Sequence, residues 1–155
     1  MIRPFRSGDA SACCAILRGC LDADPAYPPK IRSRLREAES PRTMTDRAAL
    51  FYIAVYEEDG RVVGFAGLDL NEIRLLYVDP AQWRRGIGRS LFGHLRAMVP
   101  GAMFREIFVY STPGAVAFYE SCGFRNKGPF VFDSAGLSIP TVFMILPVSG
   151  DLQTR

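Results

Sequence analysis

A chain of 155 residues, 48% apolar and 23% charged, can build one globular domain with a sizeable core and leaves little room for a second. A net charge of +3 is too weak to call for a nucleic-acid partner. Cys13, Cys14, Cys20 and Cys122 form no CxxC pair and His94 is the only histidine, which argues against a metal site and against a Cys–His catalytic pair. The opening Met1–Arg6 has no apolar leader core, and no run of about 18 apolar residues occurs, so no membrane partner is expected. Reduced thiols in the cytoplasm fit this pattern.

Ile2 to Arg6 reads as a first strand, and Asp9 is placed to cap a helix from Ala10 to Leu21 with Ala12, Ala15, Ile16 and Cys20 on its apolar side. Pro25, Pro28 and Pro29 end it. Lys30 to Glu39 suits a more polar helix, with Arg32, Arg34 and Arg36 as a solvated face, and Ser40 to Thr43 reads as loop. Phe51–Tyr56 and Arg61–Asp69 form a hairpin around Asp59-Gly60, and Ile73–Val78 is a third apolar strand. A helix follows over Gly88–Val99, with Leu91, Leu95 and Met98 at helical spacing. Then come a strand at Glu106–Tyr110 and a helix at Pro113–Cys122. Closing strands lie around Phe124, Phe130–Phe132 and Thr141–Leu146, with a turn at 133–136. This order predicts a mixed α/β (α+β) fold. One twisted sheet of about seven strands, mostly antiparallel through its terminal hairpins, carries helices on both faces. Residues 1–148 are expected to form a single domain, and 149–155 a polar tail.

The chemistry concentrates in one loop. A strand runs into Asp79-Pro80-Ala81-Gln82-Trp83-Arg84-Arg85-Gly86-Ile87-Gly88 and a helix follows. Amides at a helix start lack partners, the helix dipole is positive there, and glycine lets backbone approach a ligand. Arg84, Arg85 and Arg89 add charge, so the loop suits a small anion. It lacks the Walker spacing and lysine, and Leu91 stands where a dinucleotide fingerprint wants its third glycine. Taken alone, Gly86-x-Gly88 fits a plain strand-to-helix turn as well as it fits a phosphate site.

The segment Leu75-Leu76-Tyr77-Val78-Asp79-Pro80-(x5)-Gly86-Ile87-Gly88-Arg89-Ser90-Leu91 resembles the coenzyme A motif of the GNAT superfamily of N-acetyltransferases. Ala115-Val116-Ala117-Phe118-Tyr119-Glu120-Ser121-Cys122-Gly123-Phe124 is similar to that family's A-x-x-F-Y-x-x-x-G-F signature. Two positions depart. Trp83 stands where the family usually has Gln or Arg, and Thr112, beside Ser111, stands where it often has Asn. The resemblance implies acetyl-CoA as the acyl carrier, with no metal. Backbone of Leu76, Tyr77 and Val78 would hold the pantetheine arm and the acetyl carbonyl, where an N–H stabilises developing negative charge. The stretch Arg84, Arg85, Gly86, Ile87, Gly88, Arg89 and Ser90 would hold the pyrophosphate, with Phe118 and Tyr119 beside the coenzyme.

Acetyl transfer to an amine needs an acid for the departing thiolate and a base for the ammonium. The signature makes Tyr119 the acid. Glu72 stands fourteen residues before Gly86, the spacing of the catalytic glutamate in some relatives, and is the candidate base. Simple alternation puts Glu72, Arg74, Leu76 and Val78 on one face unless a bulge intervenes, with Glu72 about 13 Å from Leu76 and a water relaying the proton. Trp83 is expected to pack over the loop and His94 to lie at the surface. Phe51, Tyr52, Tyr56, Tyr77, Phe130 and Phe132 are expected mostly in the core. The acceptor, a small-molecule or peptide amine, would meet residues 20–45 and 125–140, and because relatives often pair through their sheets the resemblance admits a homodimer. A coenzyme-binding module without catalysis and a nucleotide-phosphate-binding domain are the alternatives.

Overall fold

A computed structural model describes residues 1–134 and 136–148. Ala135 of the predicted 133–136 turn and the predicted 149–155 tail lie outside the described residues. The strands are β1 (Ile2–Pro4), β2 (Tyr52–Glu58), β3 (Arg61–Asp69), β4 (Glu72–Val78), β5 (Glu106–Ser111), β6 (Arg125–Ser134) and β7 (Leu137–Pro147). The helices are α1 (Ala10–Ala23), α2 (Pro29–Ala38), α3 (Pro41–Leu50), α4 (Ile87–Met98) and α5 (Val116–Ser121). One seven-stranded sheet runs β1-β2-β3-β4-β5-β7-β6, and only β4 and β5 pair in parallel. The expected mixed, mostly antiparallel sheet with helices on both faces is what the chain forms.

Alternation along the strands feeds two cores. On one face Leu91, Phe92 and Leu95 of α4 pack with Ala66, Leu68, Ile107 and Val109. On the other, Cys13, Ile16 and Leu17 of α1 and Met44 of α3 pack with Ile53, Val55, Phe65 and Leu75. The buried side of α1 carries Ala10, Cys13, Cys14, Ile16, Leu17 and Leu21, so Ile16 is buried as expected while Ala15 is exposed. The stripe is wider than expected and shifted toward Cys13 and Cys14, because buried thiols behave as small hydrophobes. On α4 the last contact is made by Val99, with Met98 exposed.

Helix α3 occupies a stretch expected to open as loop. Ser40 accepts the Thr43 N–H at 3.1 Å and Pro41 fills the first turn, an N-terminal signal that a polar reading overlooks. Arg47 on this helix makes a two-pronged ion pair with Glu39 (2.6 Å for each contact), and the Glu39 side chain is almost fully buried. Removing the cation strands a buried carboxylate. Arg47→Ala is therefore expected to lower stability by about 3 kcal/mol, read as a fall in the urea midpoint at unchanged slope.

Other sequence expectations shift in detail. Asp9 leaves its cap role, because its carboxylate accepts the Arg6 N–H and pairs with Arg3, which holds the Asp9 pKa below the usual range. His94 is half-buried, with Nε2 2.9 Å from the Tyr52 hydroxyl. Phe130 and Phe132, expected mostly in the core, are exposed on edge strand β6, where their rings pack only on Tyr110 and on each other among the aromatic contacts of the described residues.

Candidate active site between β4 and β5

The parallel pairing of β4 and β5 is confined to Glu72↔Phe108 and Ile73↔Val109. No ladder joins the strands beyond that point. A cavity of about 560 Å³ opens there, between Leu76–Val78 on one side and Thr112, Gly114, Ala115 and Phe118 on the other. Its roof is the end of α1 and the loop after it, through Cys20, Asp24, Pro25 and Tyr27. Its outer end is Gln82, Trp83, Arg84 and the start of α4. The volume lies in the range of small-molecule sites.

Local chemistry explains the outer end. Asp79 accepts the Ala81 N–H at 3.0 Å and starts a short 3-10 turn at Pro80–Gln82. Arg84 and Gly86 both take positive φ (67° and 82°), which reverses the chain into α4. The first bond of that turn is Ser90 N–H to Gly86 C=O at 3.0 Å, so the amides of Ile87, Gly88 and Arg89 remain free of helical partners. A Cβ on Gly88 would come within 3.3 Å of the Phe118 ring, so the bare residue lets α4 close on α5. Arg89 is steadied by the Ser121 hydroxyl at 3.1 Å. Free amides, the positive helix end, Arg84 and Arg89 together make an anion cradle of the right form for a pyrophosphate.

The sequence-chosen residues do not all meet. Leu76, Tyr77, Val78, Arg84, Gly86, Ile87, Gly88, Arg89 and Phe118 line the cavity. Arg85 turns away to a two-pronged pair with Glu58 (2.8 and 2.7 Å). Ser90 is exposed, and its amide is already spent in the helix. The Val78 carbonyl accepts from the Trp83 indole (2.8 Å) and the Cys20 thiol (3.1 Å), which folds the loop back on the strand and leaves that carbonyl engaged. Trp83 thus closes the loop, as expected, while remaining about half exposed.

Tyr119 lies beside the cavity wall. Its ring makes edge contacts with Phe118 and Phe124 at 5.3 Å, and it is buried. Burial, reinforced by the nearby Tyr77 phenol, raises its pKa far above the ordinary phenol value. Tyr119 therefore keeps its proton.

A bulge sets the placement of Glu72. Gly67 pairs with Leu75 and Leu68 with Ile73, so Arg74 is the extra residue. The bulge reverses the alternation. Ile73 and Leu76 face the α4 core, while Leu75 and Tyr77 face the α1 core. Glu72 thus shares the α1 side with Tyr77 and lies opposite Leu76 and Val78, the bulge breaking the simple alternation. Burial, more than the neighbouring charges, raises its pKa above the usual carboxylate value.

The sequence points to the 20–45 segment for the acceptor but does not single out Cys20, Asp24 and Tyr27 within it. They lie beyond both motifs, and only the folding of α1 across the strand ends brings them to the cavity. Burial pushes the Cys20 thiol and the Tyr27 phenol up to about 12, so both stay protonated. Among the described residues no group of three His, Cys, Asp or Glu side chains is arranged to hold a metal ion. No helix among them is long and apolar enough to cross a membrane.

The chain is similar over 94% of its length, at 29% identity, to the peptidyl-lysine N-acetyltransferase YjaB of Salmonella typhimurium, 97% of which is covered. A GCN5-related N-acetyltransferase from Rhodopseudomonas palustris has a similar fold, with TM-score 0.88 at 21% identity over 96% of this chain and 95% of that one. So does yncA from Salmonella typhimurium, solved with its cofactor acetyl-CoA, at TM-score 0.70 and 18% identity over 100% and 96% of the two chains. The sequence model of the acetyltransferase (GNAT) domain matches residues 30–139, well over half of the chain. With its motif loop, its split β4–β5 pair and this match, the chain belongs to the GNAT acetyltransferase family and is an acyltransferase.

Proposed function

We propose that the protein transfers an acetyl group from acetyl-CoA directly to a primary amine, with the side-chain amine of a peptide lysine as the leading acceptor class. The observation that carries this reading is the cavity between β4 and β5. It has an anion cradle at one end and a roof of α1 residues at the other. YjaB, the relative matched nearly end to end, is a peptidyl-lysine N-acetyltransferase. Residues 1–148 act as one acetyltransferase domain, and four free thiols suit the reducing cytoplasm.

The coenzyme supplies a thioester-activated acetyl group. The amides at 87–89 with Arg84 and Arg89 bind its pyrophosphate, and the Leu76–Val78 backbone orients its arm. Tyr119 holds a phenolic proton for the departing sulfur. Glu72 takes the acceptor's proton through water, as its place away from the cavity wall requires.

Turnover is tested by incubating the protein with acetyl-CoA and a lysine-containing peptide, following thiol release and peptide acetylation by mass spectrometry. Coenzyme binding without transfer to any amine would leave a binding module instead. A base works only when deprotonated, so activity is lost as pH falls through the Glu72 pKa. Burial moves that limb above about 4.3, the ordinary glutamate value. Glu72→Gln is expected to lower kcat by on the order of 100-fold and to erase the limb. A limb that persists would transfer the role to another group.

A further inference from the structure

The cavity is electrically lopsided. Its cationic side chains, Arg84 and Arg89, sit at the pyrophosphate end, and Asp24 in the roof is the one acid on its wall. Among the described residues no Lys or Arg forms an ion pair with Asp24, whereas Asp9, Asp22, Glu39, Glu57 and Glu58 are each paired. The carboxylate is nonetheless held in place. Its Oδ1 accepts the Ala26 N–H at 2.9 Å. Its Oδ2 rests against the bare Cα of Gly114, where an added Cβ would stand 2.7 Å away. Arg32 fastens the same loop from behind, donating to the carbonyl oxygens of Asp24 and Tyr27 at 3.3 and 3.1 Å. A fixed, half-exposed carboxylate without a counter-ion on the wall of a cavity has a use for an incoming cation.

Resting on the acetyltransferase reading, we infer that Asp24 is the residue that receives the acceptor's ammonium group and sets the acceptor class. Once pyrophosphate occupies the arginine end, those cations are neutralised and Asp24 dominates the remaining field. That field favours amines with no acid beside the nitrogen, such as a lysine side chain within a peptide. It disfavours free α-amino acids, whose carboxylate would face Asp24. The proton shed before attack passes to the base assigned above. Asp24 therefore acts in binding, and its removal is felt in KM.

Asp24→Asn removes the charge and keeps an oxygen for the Ala26 N–H, so the loop stays capped. Its KM for a lysine-containing peptide is expected to rise about 10- to 100-fold, the value of a hydrogen bond to a charged group. The coenzyme Kd by titration calorimetry stays within about twofold, and Asp24→Glu recovers part of the loss. Wild-type KM rises with salt, and that of Asp24→Asn does not. The preference for the peptide over free glycine narrows in the variant. An unchanged KM in Asp24→Asn, or an equal loss of coenzyme affinity, overturns the assignment alone. Coenzyme binding with no transfer to any amine by the wild type overturns the acetyltransferase reading and this assignment with it.

Discussion

Gly86→Asp is expected to weaken acetyl-CoA binding by about 100-fold in titration calorimetry, the largest single effect foreseen on the coenzyme. Two causes add. Gly86 holds φ of 82°, a left-handed conformation that costs a residue with a Cβ about 1 kcal/mol, somewhat less for Asp. The larger cause is charge. A carboxylate at the entrance to α4 sits beside the place reserved for two phosphates and cancels part of the helix-end field. At an effective dielectric near 20, reduced by solvent screening at this exposed position, the repulsion from the two phosphates is worth about 2–3 kcal/mol in all. Steric collision inside the protein plays no part, because a Cβ on Gly86 meets nothing within 4 Å. Gly86→Ala separates the two causes. It carries the strain without the charge and is expected to cost about 1 kcal/mol of folding stability with only a small loss of affinity. Wild-type affinity in Gly86→Asp would refute the assignment of this loop to the pyrophosphate.

Tyr119→Phe is expected to lower kcat by on the order of 100-fold and to leave the coenzyme Kd unchanged. The substitution keeps the ring that packs on Phe118 and Phe124, and the Tyr119 hydroxyl makes no hydrogen bond to the described residues. Folding stability therefore changes by less than about 1 kcal/mol. The pH behaviour follows from the raised phenol pKa. An acid is lost only as pH climbs through its own pKa, so Tyr119 imposes no alkaline limb below about pH 10. Turnover equal to wild type would reduce Tyr119 to a packing residue of the α4–α5 core.

The fold was largely legible because its signals are local. Asp59-Gly60 names a hairpin, Pro113 opens a helical turn, and Gly86 with Gly88 marks a strand passing into a helix. Helix α3 was missed because only Ser40-Pro41 announces it, and its sole fully buried residue is Met44. Phe130 and Phe132 are exposed because alternation reports which residues share a face, and not whether that face is buried at the sheet edge.

The sequence by itself determined the order of elements apart from α3, and its glycine loop and Phe118-Tyr119 signature carry the resemblance to the acetyltransferase family. Each of these signals rests on residues close together in the chain, where a local pattern can be matched, and it is the two motifs in order that single out the family, since the glycine loop alone fits a plain turn equally well. Tertiary structure alone decided which of those residues face the cavity. Arg85 is captured by Glu58 across the sheet end. The Arg74 bulge appears only when β3 pairs with β4, and it moves Glu72 to the other face. Asp24 meets Gly114 across ninety residues of chain because α1 lies over the parting ends of β4 and β5. Contacts of that kind depend on packing between distant segments, and no local pattern encodes them.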